Sequence, residues 1–235
     1  MNSPRTIPGV KQSASASPQQ HANQIYTRRQ LDKIATRWDA RAAGWDQALL
    51  NPDCHLNEDE GYSRFLREAH RVIDGRRHSC AKGGVIDVGC GTGLVLVDVI
   101  SHFAWGVGID ISKQMICRAH RKRIKNARFL IADCFKIAEF CPPAKMVLSR
   151  GILLSHYGRI QGERLLNSVR TGLRPQGIAI LDFLNLHARA RHQHSPDKTY
   201  FSGKEVRQMA LAAGFRSAAI LGELERRVLF LLAES

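Results

Sequence analysis

Residues 85–93 of this 235-residue chain read Val-Ile-Asp-Val-Gly-Cys-Gly-Thr-Gly. An apolar, β-branched run that carries one acid and ends in alternating glycines predicts a buried β-strand followed by a tight turn. A second short apolar segment ends in Asp110, which lies about twenty residues beyond Gly89. One βαβ unit of that length brings a carboxylate to a nucleotide ribose. We therefore expect this region to bind an adenosine-containing cofactor, the alternative being glycines that only tighten a strand–helix junction.

The spacing of the glycines narrows the class of cofactor. They stand at positions 89, 91 and 93, and position 94 is Leu, so the dinucleotide pattern G-x-G-x-x-G is not met. No Walker lysine follows, which argues against a nucleoside triphosphate. Asp87 stands two residues before the first glycine and gives the pattern D-x-G-x-G-x-G.

This pattern resembles the first motif of the class I S-adenosylmethionine (SAM) methyltransferases. The resemblance implies a Rossmann-like, doubly wound α/β fold with a seven-stranded, mostly parallel sheet, a C-terminal antiparallel hairpin and an N-terminal helical lid. It also implies SAM as the cofactor, whose amino-acid end, sulfonium and ribose hydroxyls suit carboxylate partners. The cofactor-binding residues that the resemblance implies are Asp87, Gly89, Cys90, Gly91, Gly93, Asp110, Ile111, Asp133, Cys134, Ser149 and Arg150.

Three of these residues lie in later motifs. The resemblance puts Asp133 on the adenine amino group, and a turn or N-cap carboxylate is the alternative. Ser149 and Arg150 belong to residues 147–157, which resemble the strand end and loop of UbiE-like small-molecule methyltransferases. In that family the loop meets the SAM amino group and opens on the substrate. The segment lacks the Asn-Pro-Pro-Tyr form of enzymes that methylate exocyclic amines and the Pro-Cys pair of 5-methylcytosine enzymes.

His156, in the same segment, is the candidate general base, and Tyr157 is a second catalytic candidate. Methyl transfer depends mainly on proximity and orientation, and a base helps only where the acceptor must shed a proton. A histidine serves that purpose near neutral pH. The alternative is a histidine that caps a helix or is solvated in a loop.

Residues 31–39 resemble the lid helix that closes over SAM in many of these enzymes. Trp38 matches an aromatic position of that helix, whereas Leu31 stands where the family often has an aromatic residue. Plain packing between helices is the alternative for Trp38 and for Trp45.

Composition and periodicity divide the chain into three parts. Residues 1–22 are rich in Ser, Pro, Gln and Ala and predict a flexible tail. Residues 23–80 read as a helical lid or cap, and residues 81–235 as the SAM-binding domain. The patterns predict helices at 25–50, 58–73, 92–103, 112–123, 160–172 and from a capping box at 202 to near 214, and strands at 84–88, 105–109, 127–131, 144–149, 177–183, 215–222 and 226–233.

The formal net charge of +14 suggests an anionic partner, although basic residues can also merely solvate helix faces. Residues 113–128 hold seven Lys or Arg and no acid. Residues 186–194 follow the strand at the expected substrate mouth, and their charge favours an anionic or polar substrate. Their three histidines, at 187, 192 and 194, match no known metal-site spacing, so no metal is expected.

Six cysteines are scattered without a C-x-x-C pair, which is typical of reduced thiols rather than of a zinc site or a disulfide framework. The N-terminal residues lack the apolar core of a secretory signal. No apolar run is long enough to span a bilayer. We therefore expect a cytoplasmic protein without a membrane span.

Three hypotheses follow for the function. The leading one is a SAM-dependent methyltransferase of a small molecule. An RNA methyltransferase is the alternative that the charge supports, although no RNA-binding module is recognisable. A non-catalytic binding protein with the SAM fold is the third, and the intact glycine turn and its two acids argue against it. The sequence identifies neither the accepting atom nor the oligomeric state.

Overall fold

The computed structural model describes residues 28–51, 61–151, 153–191 and 197–235. The predicted tail, residues 1–22, lies outside this part of the chain. Within it the strands form one seven-stranded sheet in the order β3-β2-β1-β4-β5-β7-β6. Their bounds are β1 Gly84–Val88, β2 Trp105–Asp110, β3 Ala127–Ile131, β4 Ala144–Ser149, β5 Leu173–Leu184, β6 Ser217–Leu221 and β7 Val228–Glu234.

The helices of the described residues alternate with these strands through most of the chain. The α-helices are α1 Arg28–Arg41, α2 Trp45–Leu50, α3 Gly61–Asp74, α4 Arg77–Ala81, α5 Leu94–Val99, α6 Lys113–Arg121, α7 Ile137–Phe140, α8 Arg159–Thr171 and α9 Gly203–Ala212. Short 3₁₀ segments cover Ala42–Gly44, Ile100–His102, Cys134–Lys136, Leu153–His156 and Leu186–Arg191.

The sheet is buried on both faces, as a parallel sheet between helical layers must be. All five residues of β1 are buried, and successive side chains enter opposite cores. Ile86 packs in the core under α8 and α9, whereas Val85 packs in the core under α3, α5 and α6. The carboxyl end of β1 therefore emerges between two well-packed layers.

The strand order reverses between β1 and β4. β1 pairs in parallel with β2 on one side and with β4 on the other. The segments that follow these two strands lead away in opposite directions, which opens a crevice at the carboxyl ends of the strands. Ligands of doubly wound sheets bind in this crevice. The fold thus provides a binding position at the end of β1, next to the glycine turn.

The end of the sheet is antiparallel, as predicted. β7 lies between β5 and β6 and runs antiparallel to both. The capping box before α9 is present, because Ser202 Oγ accepts from the Glu205 N–H while a Glu205 carboxylate oxygen accepts from the Ser202 N–H. The predicted fold, with its seven strands and its C-terminal hairpin, is therefore confirmed.

Several predicted boundaries were wrong. β5 begins at residue 173 and not at 177, because residues 174–177, which include Pro175 and Gly177, form an irregularity within the strand and not a turn ahead of it. Of the predicted helix 25–50, the described residues 28–50 form α1 and α2, joined by a 3₁₀ turn that ends at Gly44. The short helices α4 and α7 were not predicted, because four or five residues are too few to show a helical period.

The predicted lid, residues 23–80, contains two different kinds of helix. α1 and α2 contribute side chains to a cavity at the carboxyl edge of the sheet. α3 instead buries Phe65 and Ile73 in the core, where the Phe65 ring lies 5.9 Å from the ring of Phe230 on β7. The division of the chain at residue 80 stays a prediction.

Candidate active site

A cavity of about 580 Å³ lies at the carboxyl ends of β1, β2 and β4, under α1 and α2. This volume is typical of a small-molecule site. The residues that line it include most of the predicted site. These are Asp87, Gly89, Cys90, Gly91, Asp110, Ile111, Asp133, Cys134, Arg150, His156 and Tyr157.

The glycine turn after β1 has a conformation that side chains oppose. Gly89 and Gly91 have φ angles of +70° and +53°. The N–H groups of Gly89 and Cys90 donate to the carbonyl of Ile109 at 2.8 and 3.0 Å, which fixes the turn to the end of β2. The backbone itself therefore forms this wall of the cavity.

Asp110 at the end of β2 is held by backbone donors. Its two carboxylate oxygens accept from the N–H groups of Gly91 at 2.9 Å and of Ser112 at 2.8 Å. Burial raises the pKa of Asp110, and the backbone hydrogen bonds oppose that rise. Each carboxylate oxygen has two lone pairs, so both can still accept from a vicinal diol.

Asp87 is almost completely buried at the end of β1, with 1% of its surface exposed. Its Oδ2 has no hydrogen-bond partner among the described residues. Burial and the nearby Asp110 raise the pKa of Asp87 to about 8. A buried carboxylate is costly without a cation, and the ammonium or sulfonium of SAM would supply one. The residues present therefore fit this cofactor.

Asp133 acts as an N-cap and also lies at the cavity wall, and its contact with adenine stays a prediction. It lines the cavity, and its Oδ1 accepts from the Phe135 N–H at 2.9 Å as the N-cap of a 3₁₀ turn. Cys134 lies beside it, with its sulfur 3.4 Å from the Tyr157 hydroxyl. Burial raises the pKa of the Cys134 thiol to about 12, so this thiol is neutral at physiological pH.

Two predicted cofactor residues do not line the cavity. A Cβ at Gly93 would lie 2.8 Å from the Phe129 ring, so Gly93 allows the helix after the turn to pack on β3. Ser149 is buried and its hydroxyl donates to the Val88 carbonyl at 2.8 Å, which joins β4 to β1. Gly93 therefore supports the wall of the site through packing, and Ser149 through its hydrogen bond between β4 and β1.

The loop after β4 is positioned by a residue that sequence reasoning missed. The Gly151 N–H donates to both carboxylate oxygens of buried Asp182, on β5, at 3.0 and 3.1 Å. The adjacent Arg150 guanidinium lies 5.1 Å from the centre of the Tyr62 ring. Burial lowers the pKa of Arg150, and Asp182 opposes this shift.

His156 lies half-buried at the cavity wall. Its Nδ1 lies 3.2 Å from Lys198 Nζ, and its ring lies 5.5 Å from the Trp38 ring. Burial, followed by the nearby Lys198, lowers the pKa of His156 to about 3. The imidazole is therefore neutral at physiological pH, and a Nδ1 that faces an ammonium acts as the acceptor.

Three carboxylates that sequence reasoning missed connect the lid helices to helix α6 and to the segment that contains Asp197. Asp39 accepts from the Ser112 hydroxyl at 2.6 Å, at the N-terminus of α6. Asp46 accepts from Lys122 Nζ at 2.7 Å. Arg37 on α1 donates to Asp197 at 2.9 Å. A bond between residues close together in the chain could have been predicted from the sequence. The two partners of each of these bonds are more than seventy residues apart.

Both candidate lid tryptophans reach the site. Trp38 and Trp45 line the cavity, and their rings meet edge to face at 5.4 Å. A Cβ at Gly91 would come within 3.3 Å of Trp45 Nε1. The lid therefore packs directly on the glycine turn.

The basic segment 113–128 divides between two environments. Lys122 turns inward to the lid, whereas Lys113, Arg121 and Arg123 line a second, open groove beside edge strand β3. In the other basic segment His187 is exposed, and His192 and His194 lie outside the described residues. Among the residues that are described, no group of three or more His, Cys, Asp or Glu could hold a metal ion.

Membrane spans were sought in the same part of the chain. None of the helices described there is long and apolar enough to cross a bilayer.

Comparisons with known proteins agree with this geometry. Residues 85–177 match the family model described as a methyltransferase domain. No curated protein sequence matches the chain.

Solved structures extend the likeness over most of the chain. Magnesium protoporphyrin IX methyltransferase (ChlM) from Synechocystis PCC 6803, with bound SAH, is 14% identical, with a TM-score of 0.68 over 86% of this chain and 98% of that one. The complex of DhpI with SAM and HEP is 18% identical, with a TM-score of 0.68 over 90% and 100%. The sugar N-methyltransferase KedS8 from Streptoalloteichus sp ATCC 53650 is 16% identical, with a TM-score of 0.62 over 76% and 90%. At these identities the likeness is one of fold.

Proposed function

We propose that this chain, a class I SAM-dependent methyltransferase by its domain match and its fold, methylates a small molecule that carries negative charge. The observation that carries the proposal is a set of three carboxylates, Asp87, Asp110 and Asp133, around one cavity at the switch point of the sheet. Asp87 gives the strongest support for a bound cation such as that of SAM, because its buried Oδ2 has no hydrogen-bond partner among the described residues.

Each carboxylate has a separate role in holding SAM. Asp110 would accept from the ribose hydroxyls while its backbone donors keep it oriented. Asp133 would accept from the adenine amino group and Ile111 would pack on the ring, since both line the cavity. Asp87 would pair with the ammonium of the amino-acid end or with the sulfonium. When bound, SAM supplies an electrophilic methyl group on its sulfonium.

The protein contributes orientation and exclusion of water. α1 and α2 cover the cavity, and the rings of Trp38 and Trp45 form its apolar wall opposite the glycine turn. Bringing two reactants together in a dry, fixed geometry removes much of the entropic part of a displacement barrier. No covalent intermediate with the protein is required.

The acceptor binds between the lid and the loop after β4. His156, Tyr157 and Arg150 face this part of the cavity, together with Lys198. Arg150, Lys198 and Arg37 give it a positive potential, which suits an anionic acceptor. In this role His156 contacts the acceptor as a neutral imidazole.

Two finer assignments belong to the same proposal. The loop after β4, with His156 near its end, supports placing the chain with the UbiE-like small-molecule enzymes. A cytoplasmic location is supported by the thiols, since the described cysteines at 80, 90, 117, 134 and 141 are all free.

A transfer assay tests the proposal. The protein is incubated with methyl-labelled SAM and either a small-molecule extract or total RNA, and Asp110→Ala is run as the matched inactive control. We expect label in small molecules only, and loss of that label in the variant. Label in RNA alone would replace the proposal by the RNA methyltransferase. The absence of label from both fractions would favour the non-catalytic binding protein.

A further inference from the structure

We infer that Asp39, on the lid helix α1, positions Asp110 for the ribose hydroxyls of SAM through Ser112. The part of the site that recognises the ribose is then complete only while the lid helix lies over the cavity. The inference rests on the proposed function, because it needs SAM bound with its ribose at Asp110. It adds a positioning residue that does not itself line the cavity and that couples the lid to the cofactor.

Ser112 connects Asp110 to the start of helix α6. It is completely buried, and its N–H donates to Asp110 Oδ1 at 2.8 Å. Its hydroxyl accepts from the Met115 N–H at 3.1 Å and forms the N-cap of the helix. The N-cap residue of α6 thus supplies one of the backbone donors that orient the Asp110 carboxylate. That orientation therefore depends on how the N-terminus of α6 is held.

Asp39 holds this N-terminus from the lid. Its Oδ1 accepts from the Ser112 hydroxyl at 2.6 Å and from the Gln114 N–H at 2.9 Å. Gln114 occupies the second position of α6, where an N–H has no acceptor within the helix. The negative charge of Asp39 also suits the positive end of the helix dipole. A residue of the lid therefore completes the cap from which Asp110 is oriented.

A second contact of the same lid helix distinguishes positioning from simple fastening. Arg37, two residues before Asp39, donates to Asp197 at 2.9 Å on the side of the cavity proposed for the acceptor. Both contacts hold α1 over the cavity, but the one at Asp39 leads through Ser112 to Asp110. Loss of fastening weakens every ligand that the lid covers. Loss of positioning weakens a ligand in proportion to its contacts with Asp110, so the two roles differ in a measurable way.

Isothermal titration calorimetry with two ligands tests the inference. SAH carries both ribose hydroxyls and 2′-deoxy-SAH lacks one, so the parent protein should bind SAH about tenfold more tightly. Asp39→Ala should reduce this preference to about threefold or less, because the Asp110 carboxylate is held less firmly. Asp39→Asn keeps an acceptor oxygen and should retain most of the preference. Arg37→Met, the matched control on the same helix, should weaken both ligands by the same small factor and leave the preference unchanged.

Ser112→Ala tests the route from Asp39 to Asp110. It keeps the backbone donor to Asp110 and removes the hydroxyl that Asp39 holds. We expect the same loss of preference as in Asp39→Ala. The combined variant should lose no more than either single one, because residues that act in series do not give additive effects. Additive losses would show that Asp39 does not act through Ser112 and would contradict the inference.

Hydrogen exchange of α1, residues 28–41, measures the coupling from the side of the lid. Coupling between two sites is reciprocal, so a ribose that contacts Asp110 should also hold the lid closed. At saturation, SAH should slow exchange in α1 of the parent protein more than 2′-deoxy-SAH does. In Asp39→Ala the two ligands should slow it equally. A purely structural role for Asp39 would speed exchange in α1 without removing the difference between the ligands.

Three results in calorimetry would overturn the inference. These are a preference in Asp39→Ala equal to that of the parent, an equal weakening of both ligands by Asp39→Ala, and equal binding of both ligands by the parent. Binding of SAH to the parent is measured first. Failure to bind SAH would refute the proposed function, whereas SAH binding with a preference that does not depend on Asp39 would refute the inference alone.

Discussion

The two ends of the cavity differ in charge and in how the chain builds them. The end at which we propose the cofactor is acidic, and Asp87, Asp110 and Asp133 each stand at or just after the end of a parallel strand. The end at which we propose the acceptor is basic, with Arg37 on the lid helix and Lys198 on an irregular segment. The regular sheet thus fixes the acidic end, while a lid helix and an irregular segment form the basic end. Loops can change without disturbing the sheet, which lets one fold methylate many acceptors.

The largest expected effect is at Asp110. Asp110→Ala removes the acceptor for the ribose hydroxyls, so SAH affinity should fall about 30-fold or more, a loss of about 2–4 kcal/mol. Calorimetry on the parent and the variant measures this. Asp74→Ala, which removes an exposed acid of α3, is the matched control and should leave affinity unchanged. An unchanged affinity in Asp110→Ala would remove the acidic end from cofactor binding.

A somewhat smaller effect on affinity is expected at Asp87, together with an opposite effect on stability. Asp87→Asn removes the charge that meets the amino-acid end of SAM, so SAM affinity should fall about tenfold. Because the folded pKa of about 8 lies above the unfolded value, ionisation of Asp87 destabilises the ligand-free fold as pH rises from about 4 to 8. Asp87→Asn has no ionisable group at this position, so its stability does not fall in this way as the pH rises.

The melting temperature therefore separates the two effects. Without ligand, Asp87→Asn should melt above the parent by a margin that grows from pH 5 to pH 8, about 2–4 °C for each kcal/mol. The parent should also release a proton when SAM binds near pH 7, seen as a dependence of the binding enthalpy on the buffer. A variant that melts lower than the parent at pH 8 would show that Asp87 is already paired.

The difference between the two ends of the cavity also explains which site residues could be predicted from the sequence. Asp87 and Asp110 were predicted because strand, turn and acid are adjacent in the chain, and both line the cavity. Gly93, in the same motif as Asp87, and Ser149, in the later motif at 147–157, face the protein interior, since only one face of a turn or strand can meet the ligand. Lys198 was missed because its partner His156 lies 42 residues away and no local pattern joins them.

The fold shows the same contrast between local and distant signals. The alternation of apolar runs predicted every strand, including the hairpin of β6 and β7. The start of β5 was misplaced because Pro175 and Gly177 indicate a turn, although the neighbouring β4 accommodates the irregularity. Pairing with β4, and not the local sequence, therefore sets the start of β5.

The smallest expected effect concerns the lid. Asp46→Asn weakens the contacts of Asp46 with Lys122 and with the Thr92 hydroxyl, which connect α2 to the glycine turn and α6. The pair is partly exposed and solvent screens it, so SAH affinity should fall only about threefold. Asp46→Asn, Lys122→Met and their combination form a double-mutant cycle. Strictly additive effects would mean that the pair does not hold the lid.

A crystal structure of the protein with SAH tests the division of the cavity most directly. We expect the ribose hydroxyls on Asp110, the adenine on the side of Asp133 and the amino-acid end on the side of Asp87, with the basic end around Lys198 open for the acceptor. SAH bound with its ribose at the basic end, or bound outside this cavity, would contradict this division.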